Sequence, residues 1–231
     1  MQENIFTVTL LIPVLNEVEG LKRILPTIDM SLFDDVVVVD GHSQDGSVEY
    51  ARSQGVRVVY QKRKGLSLAV YDAIVDEVST QFVIEFSPDG NCPVELLKPL
   101  VDRLRAGYDL VVVSRYLESA KSEDDTLVTA FGNRMFSLMI HWLGKAKITD
   151  SLNIYRGFRC SIVGEEFLQF LYGPVFEPLV SALANLRNLK VDEISGYEPK
   201  RICGASKMSI WYNGSCILLM VIRMYFKKFF G

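Results

Sequence analysis

The 231-residue sequence contains few of the residues from which metal centres and disulfide frameworks are built. It has two histidines and four cysteines, and no two cysteines form a Cys-x-x-Cys pair. This scarcity argues against a structural zinc site and a disulfide-stabilised fold, and it favours a reducing compartment, the cytoplasm. The first residues show no basic segment followed by an apolar core, so we expect no secretory signal.

Two common nucleotide-binding motifs are also missing. No Gly-x-Gly-x-x-Gly follows the first predicted strand, and no Gly-x-x-x-x-Gly-Lys-Ser/Thr occurs, which excludes a dinucleotide fingerprint and a P-loop. The net charge of −3 argues against a nucleic acid as partner, because proteins that bind nucleic acids normally carry a strongly basic face.

The sequence lacks a long uninterrupted apolar run. Residues 208–231 are apolar and aromatic, but Asn213 and Arg223 interrupt them, and a membrane-spanning helix needs about 20 mostly apolar residues. Two interpretations remain open for this C-terminal segment. It is either an interfacial amphipathic helix or a helix packed on the domain or on an oligomeric partner. The first places aromatic rings among lipid headgroups and basic side chains on anionic lipid; these residues are Trp211, Tyr212, Arg223, Lys227 and Lys228.

What the sequence does contain is a regular alternation of apolar strands and amphipathic helices. This pattern predicts an α/β fold with a doubly wound, mostly parallel sheet and helices on both faces, within one domain over residues 1–207. The predicted strands are 8–13, 36–39, 56–60, 81–86 and 110–113, with a short strand at 191–194. Right-handed crossovers bring the carboxyl ends of parallel strands to one edge of the sheet. The residues at those ends are Pro13, Asp40, Asp89 and Ser114.

Ligands of open α/β sheets bind beyond the carboxyl ends of the strands, so the carboxylates there are candidate site residues. Acidic side chains can help to bind a nucleotide diphosphate only by holding a divalent cation against its phosphates. Asp89 lies in a tight Pro-Asp-Gly turn and is the candidate ligand, with Asn91 as a second oxygen donor. Asp40 is then free to accept hydrogen bonds from a base or a ribose.

Six motifs occur in an order that resembles family 2 glycosyltransferases, and within them the dolichyl- or polyprenyl-phosphate sugar synthases. They are Pro13-Val-Leu-Asn16-Glu17, Val39-Asp40-Gly-His-Ser43-x-Asp45-Gly46-Ser47, Lys64-Gly65, Ser87-Pro-Asp89, Ser114-Arg115-Tyr116 and Arg201-x-x-Gly204-x-Ser206-Lys207. The resemblance implies a Rossmann-like glycosyltransferase A fold. It also implies that a sugar is transferred from a nucleotide diphosphate sugar with inversion, usually with Mg²⁺ or Mn²⁺.

Roles for individual residues follow from the resemblance, position by position. Pro13, Asn16 and Glu17 would shape the nucleotide pocket, Asp40 would contact the base, and Lys64 would lie close to the nucleotide. Asp89 would hold the metal. Four further residues would face phosphates of donor or acceptor, where guanidinium forks suit phosphate oxygens: Arg115, Arg201, Ser206 and Lys207.

Three departures from the family pattern are visible. Gly41 replaces the second of two paired aspartates, Ser87 replaces the first carboxylate of the Asp-x-Asp motif, and the segment 150–159 is longer than its counterpart. One carboxylate fewer weakens metal binding, although a metal held mainly by substrate phosphates tolerates that loss.

The acceptor decides the mechanism, and the sequence leaves two kinds open. A hydroxyl acceptor needs a general base, for which Asp150 is the candidate. A lipid phosphate is already ionised, with a second pKa of about 6, and needs no base. The basic, aromatic C-terminal segment favours a lipid-linked or other cell-envelope acceptor. We therefore expect a glycosyltransferase with Asp89, Arg115 and Asp150 in its catalytic machinery, peripheral on the inner face of the cell membrane.

Other interpretations compete with this one. A sugar nucleotidyltransferase is disfavoured because Pro13-Val-Leu-Asn16-Glu17 replaces the Gly-rich phosphate loop expected there. A non-catalytic nucleotide-sugar binding or scaffold protein is favoured by Ser87 alone. Asp45 is expected to be a turn or capping residue, and Glu177 to complement a helix dipole. The sequence also leaves a homo-oligomer open.

Overall fold

One sheet organises the fold in the computed structural model, which describes residues 6–118, 120–202 and 209–230. The strands are β1 (Val8–Val14), β2 (Asp35–Asp40), β3 (Arg57–Tyr60), β4 (Phe82–Glu85), β5 (Leu110–Ser114), β6 (Arg156–Arg159) and β7 (Val191–Ser195). They form a seven-stranded sheet in the order β3-β2-β1-β4-β6-β5-β7. All six strands that the sequence predicted are present, which confirms the α/β class.

Helices connect the strands and cover the sheet. They are α1 (Val18–Ile24), α2 (Ser47–Ser53), α3 (Leu66–Asp76), α4 (Leu97–Arg105), α5 (Leu127–His141), α6 (Glu165–Leu168), α7 (Phe176–Leu186) and α8 (Ile210–Phe230). Helices α1, α2 and α4 pack on one face and α3, α5, α6, α7 and α8 on the other. The central parallel strands β1, β2, β4 and β5 are buried, which explains why they are largely apolar runs in the sequence.

The sheet is mostly parallel, as predicted, and one strand departs from this direction. Strand β6 runs antiparallel to both β4 and β5, whereas the remaining strand pairs are parallel. Sequence reasoning missed β6 because it reads Arg-Gly-Phe-Arg and lacks a β-branched apolar run. Its insertion places Arg156 directly opposite Glu85 of β4.

The carboxyl ends of the parallel strands meet at one edge of the sheet. Val14 pairs with Asp40 at the ends of β1 and β2, and the Gly41 amide donates to Val14 O at 2.8 Å. Strand β4 is in register with β1 and leads into the Asp89 turn. The predicted convergence of Pro13, Asp40, Asp89 and Ser114 on this edge is therefore confirmed.

Helix α8 joins the C-terminal segment to the main core. Five of its side chains are buried in the layer that α3, α5 and α7 form with the sheet: Cys216, Ile217, Met220, Val221 and Met224. Tyr225 Oη donates to Met139 O at 2.8 Å, and Lys228 Nζ donates to Trp142 O at 2.8 Å. One face of α8 thus packs on the domain. The boundary expected near residue 207 lies outside the described residues.

In the described part of the chain, no helix combines the length and the apolar character needed to cross a bilayer.

Candidate active site

The loops that follow β1 and β2 are held together by side-chain hydrogen bonds. Asn16 adopts a left-handed conformation with φ of 58°. Its amide donates to Ser43 Oγ at 2.8 Å, and its Oδ1 accepts from the Gln44 amide at 2.8 Å. Asp45 accepts from the amides of Val18 and Ser47 at 2.9 and 3.0 Å. Asn16 and Asp45 therefore build one wall of the crevice, and the structural interpretation of Asp45 is confirmed.

Asp40 is buried at the end of β2, and one of its two carboxylate oxygens is hydrogen-bonded to the backbone. Its Oδ2 accepts from the amides of His42 and Ser43 at 2.8 and 3.0 Å. Its Oδ1 is buried and has no hydrogen-bond partner among the described residues. Buried polar atoms are normally paired. An oxygen left over at this edge of the sheet suits a donor group of a ligand, such as a base N–H or a ribose hydroxyl.

The turn after β4 presents a carboxylate and an amide together. Gly90 has a φ of 93°, a left-handed conformation that glycine adopts without strain. This turn lets the Asn91 amide donate to Asp89 Oδ1 at 3.1 Å. Asn91 Oδ1 is buried and has no partner in the described chain. These oxygen donors fit Mg²⁺ or Mn²⁺, which prefer carboxylate and carbonyl ligands.

The described residues contain no group of three or more Asp, Glu, His or Cys side chains arranged as a metal centre. The set at the β4 turn has fewer carboxylates than such a centre, as expected from Ser87. It therefore fits a cation that substrate phosphates would help to hold, with Asp89 and Asn91 supplying the protein oxygens.

Arg115 and Asp150 form the most buried ion pair of the crevice. Arg115 follows β5, and its Nε and Nη2 donate to the two Asp150 oxygens at 2.7 and 2.9 Å. The Arg115 amide also donates to Asp150 Oδ2 at 3.1 Å. The Asp150 side chain is fully buried and that of Arg115 is 11% exposed. A carboxylate oxygen of Glu198 lies 3.5 Å from Arg115 Nη1.

This pairing affects the acid-base properties of both residues. Burial opposes ionisation of Asp150, but the Arg115 guanidinium and its hydrogen bonds outweigh it and hold the Asp150 pKa below its ordinary value. Burial likewise opposes the charge of Arg115, but Asp150 raises the Arg115 pKa well above its ordinary value. Because both Asp150 oxygens are engaged, the geometry gives no support to the expectation that Asp150 deprotonates an acceptor hydroxyl.

The remaining predicted residues are less tightly placed. Pro13 lies in β1, Glu17 precedes α1, and the Glu17 amide donates to Ser47 Oγ at 3.0 Å. Lys64 is exposed in the turn between β3 and α3. Ser206 and Lys207 lie outside the described residues, so their expected contacts with phosphates stay predictions.

Sequence reasoning missed a buried charge cluster beneath the crevice. Glu85 is fully buried at the end of β4, and neither of its carboxylate oxygens has a hydrogen-bond partner within the described ranges. The fully buried Arg156 opposite it binds instead to Ser181 Oγ at 2.8 Å and to Glu177 O at 2.7 Å. Burial, and then the neighbouring Glu177, raises the Glu85 pKa well above its ordinary value, against the opposing charge of Arg156.

We expect Glu85→Gln to stabilise the protein more at pH 8 than at pH 5. The unfolded glutamate titrates near pH 4.3. A folded pKa above that value contributes stability that is present at low pH and lost as pH rises through the folded pKa. Glutamine does not ionise, so the variant does not lose stability in this way as pH rises. Each unit of pKa difference is about 1.4 kcal/mol, which is roughly 3–6 °C in Tm for a chain of this size.

Thermal unfolding of Glu85→Gln and wild type at both pH values checks this expectation. The exposed Glu49→Gln is the matched control and should shift Tm equally at the two pH values. A Glu85→Gln effect that does not change with pH would contradict it.

Comparison with known proteins agrees with this architecture. The family model described as glycosyl transferase family 2 matches residues 9–167. The chain belongs to glycosyltransferase family 2.

The names of two relatives refer to lipid phosphates. The chain is 31% identical over 146 residues to a dolichyl-phosphate hexose transferase of Haloferax volcanii, covering 62% of each protein. It is 27% identical over 222 residues to an undecaprenyl-phosphate 4-deoxy-4-formamido-L-arabinose transferase of Yersinia pestis, covering 91% of this chain and 65% of that protein. The chain spans less than two thirds of the length of these family 2 relatives.

A solved structure shares the fold. Glucosyl-3-phosphoglycerate synthase of Mycobacterium tuberculosis, crystallised with Mn²⁺, uridine diphosphate and glucosyl-3-phosphoglycerate, superposes with a TM-score of 0.66. The identity is 19%, and the match covers 96% of this family 2 chain and 80% of that chain. The glycosyltransferase A type of fold is thereby confirmed.

Proposed function

We propose that this family 2 glycosyltransferase moves a sugar, with inversion, from a nucleotide diphosphate sugar to a lipid phosphate of the polyprenyl-phosphate class. The observation that carries the proposal is the set of unpaired buried oxygens at the carboxyl edge of the sheet. Asp40 Oδ1 and Asn91 Oδ1 lack partners in the described structure, and Asp89 lies beside the second. Groups of this kind suit a nucleoside and a cation-bound diphosphate.

The donor half of the proposal assigns each end of the crevice to a part of the nucleotide. Asp40 and the Asn16 loop would take the base and ribose, with Lys64 close by. Asp89 and Asn91 would hold Mg²⁺ or Mn²⁺, which would neutralise diphosphate charge and stabilise the leaving group. Arg201, Ser206 and Lys207 would contact phosphates.

The acceptor half depends on Asp150. A carboxylate whose oxygens both bind Arg115, and whose pKa is lowered, is a poor general base. We therefore assign Asp150 to positioning Arg115. The acceptor must then bring its own ionised oxygen, as a phosphate does. The names of the two relatives, which refer to dolichyl and undecaprenyl phosphate, support the same class of acceptor.

The outer faces of α5 and α8 suit contact with the lipid surface. Both helices expose large apolar side chains, including Leu127 at 92%, Phe131 at 71% and Phe229 at 66% exposure. Arg223 and Lys228 are exposed on α8. We propose that these faces bind the cytoplasmic side of the membrane.

Thermal unfolding with nucleotides tests the donor site. We expect one of UDP, GDP, CMP and dTDP to raise Tm in the presence of Mn²⁺ and less without it. A ligand at 100 times its Kd stabilises by about 2.7 kcal/mol, or roughly 5–11 °C for this chain length. Asp89→Ala should lose the shift, whereas Asp102→Ala, which removes an exposed carboxylate from α4, should keep it.

Transfer of a labelled sugar to a short polyprenyl phosphate then separates an enzyme from a scaffold protein. The proposed activity predicts a lipid-linked product that depends on Mn²⁺ and on Asp89. Nucleotide binding with neither transfer nor donor hydrolysis would favour the scaffold interpretation. Release of pyrophosphate from a nucleoside triphosphate and a sugar phosphate would favour a nucleotidyltransferase.

A further inference from the structure

Two distant segments close over the Asp89 turn. Asp124, in the loop before α5, accepts at Oδ2 from Asn91 Nδ2 at 3.3 Å. Arg201, in the segment after β7, donates from Nε to the same Asp124 oxygen at 3.1 Å. The Arg201 Nε also lies 3.7 Å from Asp89 Oδ2. One guanidinium thus bridges two carboxylates that are far apart in the sequence.

We propose that Asp124 is a third oxygen ligand of the divalent cation, and that Arg201 and the cation compete for the space between Asp89 and Asp124. The inference rests on the metal-dependent function proposed above. It assigns a role in the cation site to a loop residue that no family motif includes. It also gives Arg201 two alternative positions.

The state of Asn91 supports a cation at this place. The residue is 8% exposed, and its Oδ1 has no hydrogen-bond partner among the described residues. Its side-chain Nδ2 donates to Asp124 Oδ2, so a flip of the amide would direct the unpaired oxygen into the same cluster. A buried amide oxygen without a donor costs stability, and it is satisfied if it becomes a ligand of a hard cation.

The composition of the cluster gives a second reason. Ser87 stands where the family motif has its first carboxylate, so the β4 turn supplies only Asp89. Asp124 restores the missing carboxylate from another part of the chain. Mg²⁺ and Mn²⁺ need only one or two carboxylates when substrate phosphates and water complete the coordination.

Arg201 already satisfies the electrostatic requirement of this cluster. Its single positive charge lies between two carboxylates, as a bound cation would. A doubly charged ion and a guanidinium repel each other at such distances, so binding of one requires displacement of the other. The Arg201 side chain is 31% exposed and is therefore able to move outward.

The backbone next to Arg201 links this exchange to the turn itself. The Ile202 amide donates to Asp89 O at 2.9 Å. The Ile202 Cγ1 atom would lie 2.8 Å from a Cβ atom at Gly90, so the glycine permits this close approach. An Arg201 side chain released from the carboxylates stays near the turn, where a diphosphate would be its next partner.

Binding of Mn²⁺ alone, followed by electron paramagnetic resonance without any nucleotide, tests the inference. Arg201→Gln should bind Mn²⁺ at least about tenfold more tightly than wild type, because one repelling charge is removed. Asp124→Asn should bind it at least about tenfold more weakly, because the negative charge of this ligand is lost. Lys121→Gln, which removes the same charge from the neighbouring exposed loop, should change the affinity less than about threefold.

Equal tightening in Arg201→Gln and Lys121→Gln would show a general charge effect and overturn the competition. An unchanged affinity in Asp124→Asn would overturn its role as a ligand.

Failure of this inference and failure of the donor proposal are distinguishable. If the nucleotide-dependent Tm shift persists while these variants bind Mn²⁺ as wild type does, only the present inference falls. If Mn²⁺ binding responds as expected but no nucleotide binds, only the donor proposal falls.

Discussion

Asp150→Ala is expected to lower Tm by roughly 6–12 °C. Removing one partner of a buried ion pair costs about 3 kcal/mol or more, because the remaining charge stays buried without compensation. Here that charge is Arg115, whose side chain is 11% exposed. It would keep Glu198 at 3.5 Å from Nη1 but would lose its two side-chain hydrogen bonds to Asp150. Thermal and urea unfolding measure the loss.

Two further variants separate this explanation from others. Asp102→Ala breaks an exposed ion pair with Lys98 on α4 and should cost less than about 1 kcal/mol. The double variant Arg115→Met/Asp150→Leu should recover much of the stability, since apolar replacement of a buried pair is often neutral. A Tm for Asp150→Ala as high as that of Asp102→Ala would contradict the prediction.

Asp150→Asn examines the chemical role of the same residue. Asparagine keeps an oxygen that can accept from Arg115, so transfer to a lipid phosphate should fall less than about tenfold. A loss of about 10²–10⁴ in transfer at an unchanged Tm is what removal of a general base produces. That result would show that Asp150 acts as a general base, and it would favour a hydroxyl acceptor.

Phe226→Ser/Phe229→Ser is expected to weaken binding to anionic liposomes by about 100-fold. Burying each aromatic side chain contributes about 1.5–3 kcal/mol, so the loss of two amounts to at least about two decades in the partition constant. Both side chains are more than half exposed on α8. Sedimentation with vesicles that contain an anionic lipid measures the change.

The matched control is Val75→Ser, which removes an exposed apolar side chain from α3 and should leave liposome binding unchanged. Phe131→Ser on α5 should weaken binding as well, if both helices enter the interface. Light scattering without lipid examines the competing occupant, a second copy of this chain. A dimer that dissociates in Phe226→Ser/Phe229→Ser, with liposome binding equal to wild type, would assign this face to oligomerisation.

We expect the basic residues of α8 to contribute less to membrane binding than the sequence indicates. Lys227 forms an ion pair with Glu166 of α6, so its charge is partly neutralised. Arg223 and Lys228 donate to backbone carbonyls and keep their charge. Near an anionic membrane each is worth about 1 kcal/mol. Aromatic side chains are therefore expected to dominate the interaction.

The residues at strand ends were accessible to sequence reasoning because their placement follows from local pattern and topology. An apolar run ending at Asp40 or before Asp89, within alternating strands and helices, fixes the edge to which each residue goes. The same reasoning did not find β6, because the two arginines in this buried strand interrupt the apolar pattern by which strands are recognised. It also did not find Glu85 beneath the crevice, because a buried carboxylate contradicts the pattern from which strands are identified.

The sequence by itself determined the α/β class, the order of the family motifs and the edge of the sheet at which we expect ligands to bind. These features depend on periodicity and on contiguous motifs. Only the tertiary structure decided which charges meet. Arg115 pairs with Asp150 across 35 positions, and Arg201 reaches Asp124 across 77. Such contacts depend on how loops from different strands close over one edge, and no local propensity encodes the distance between them.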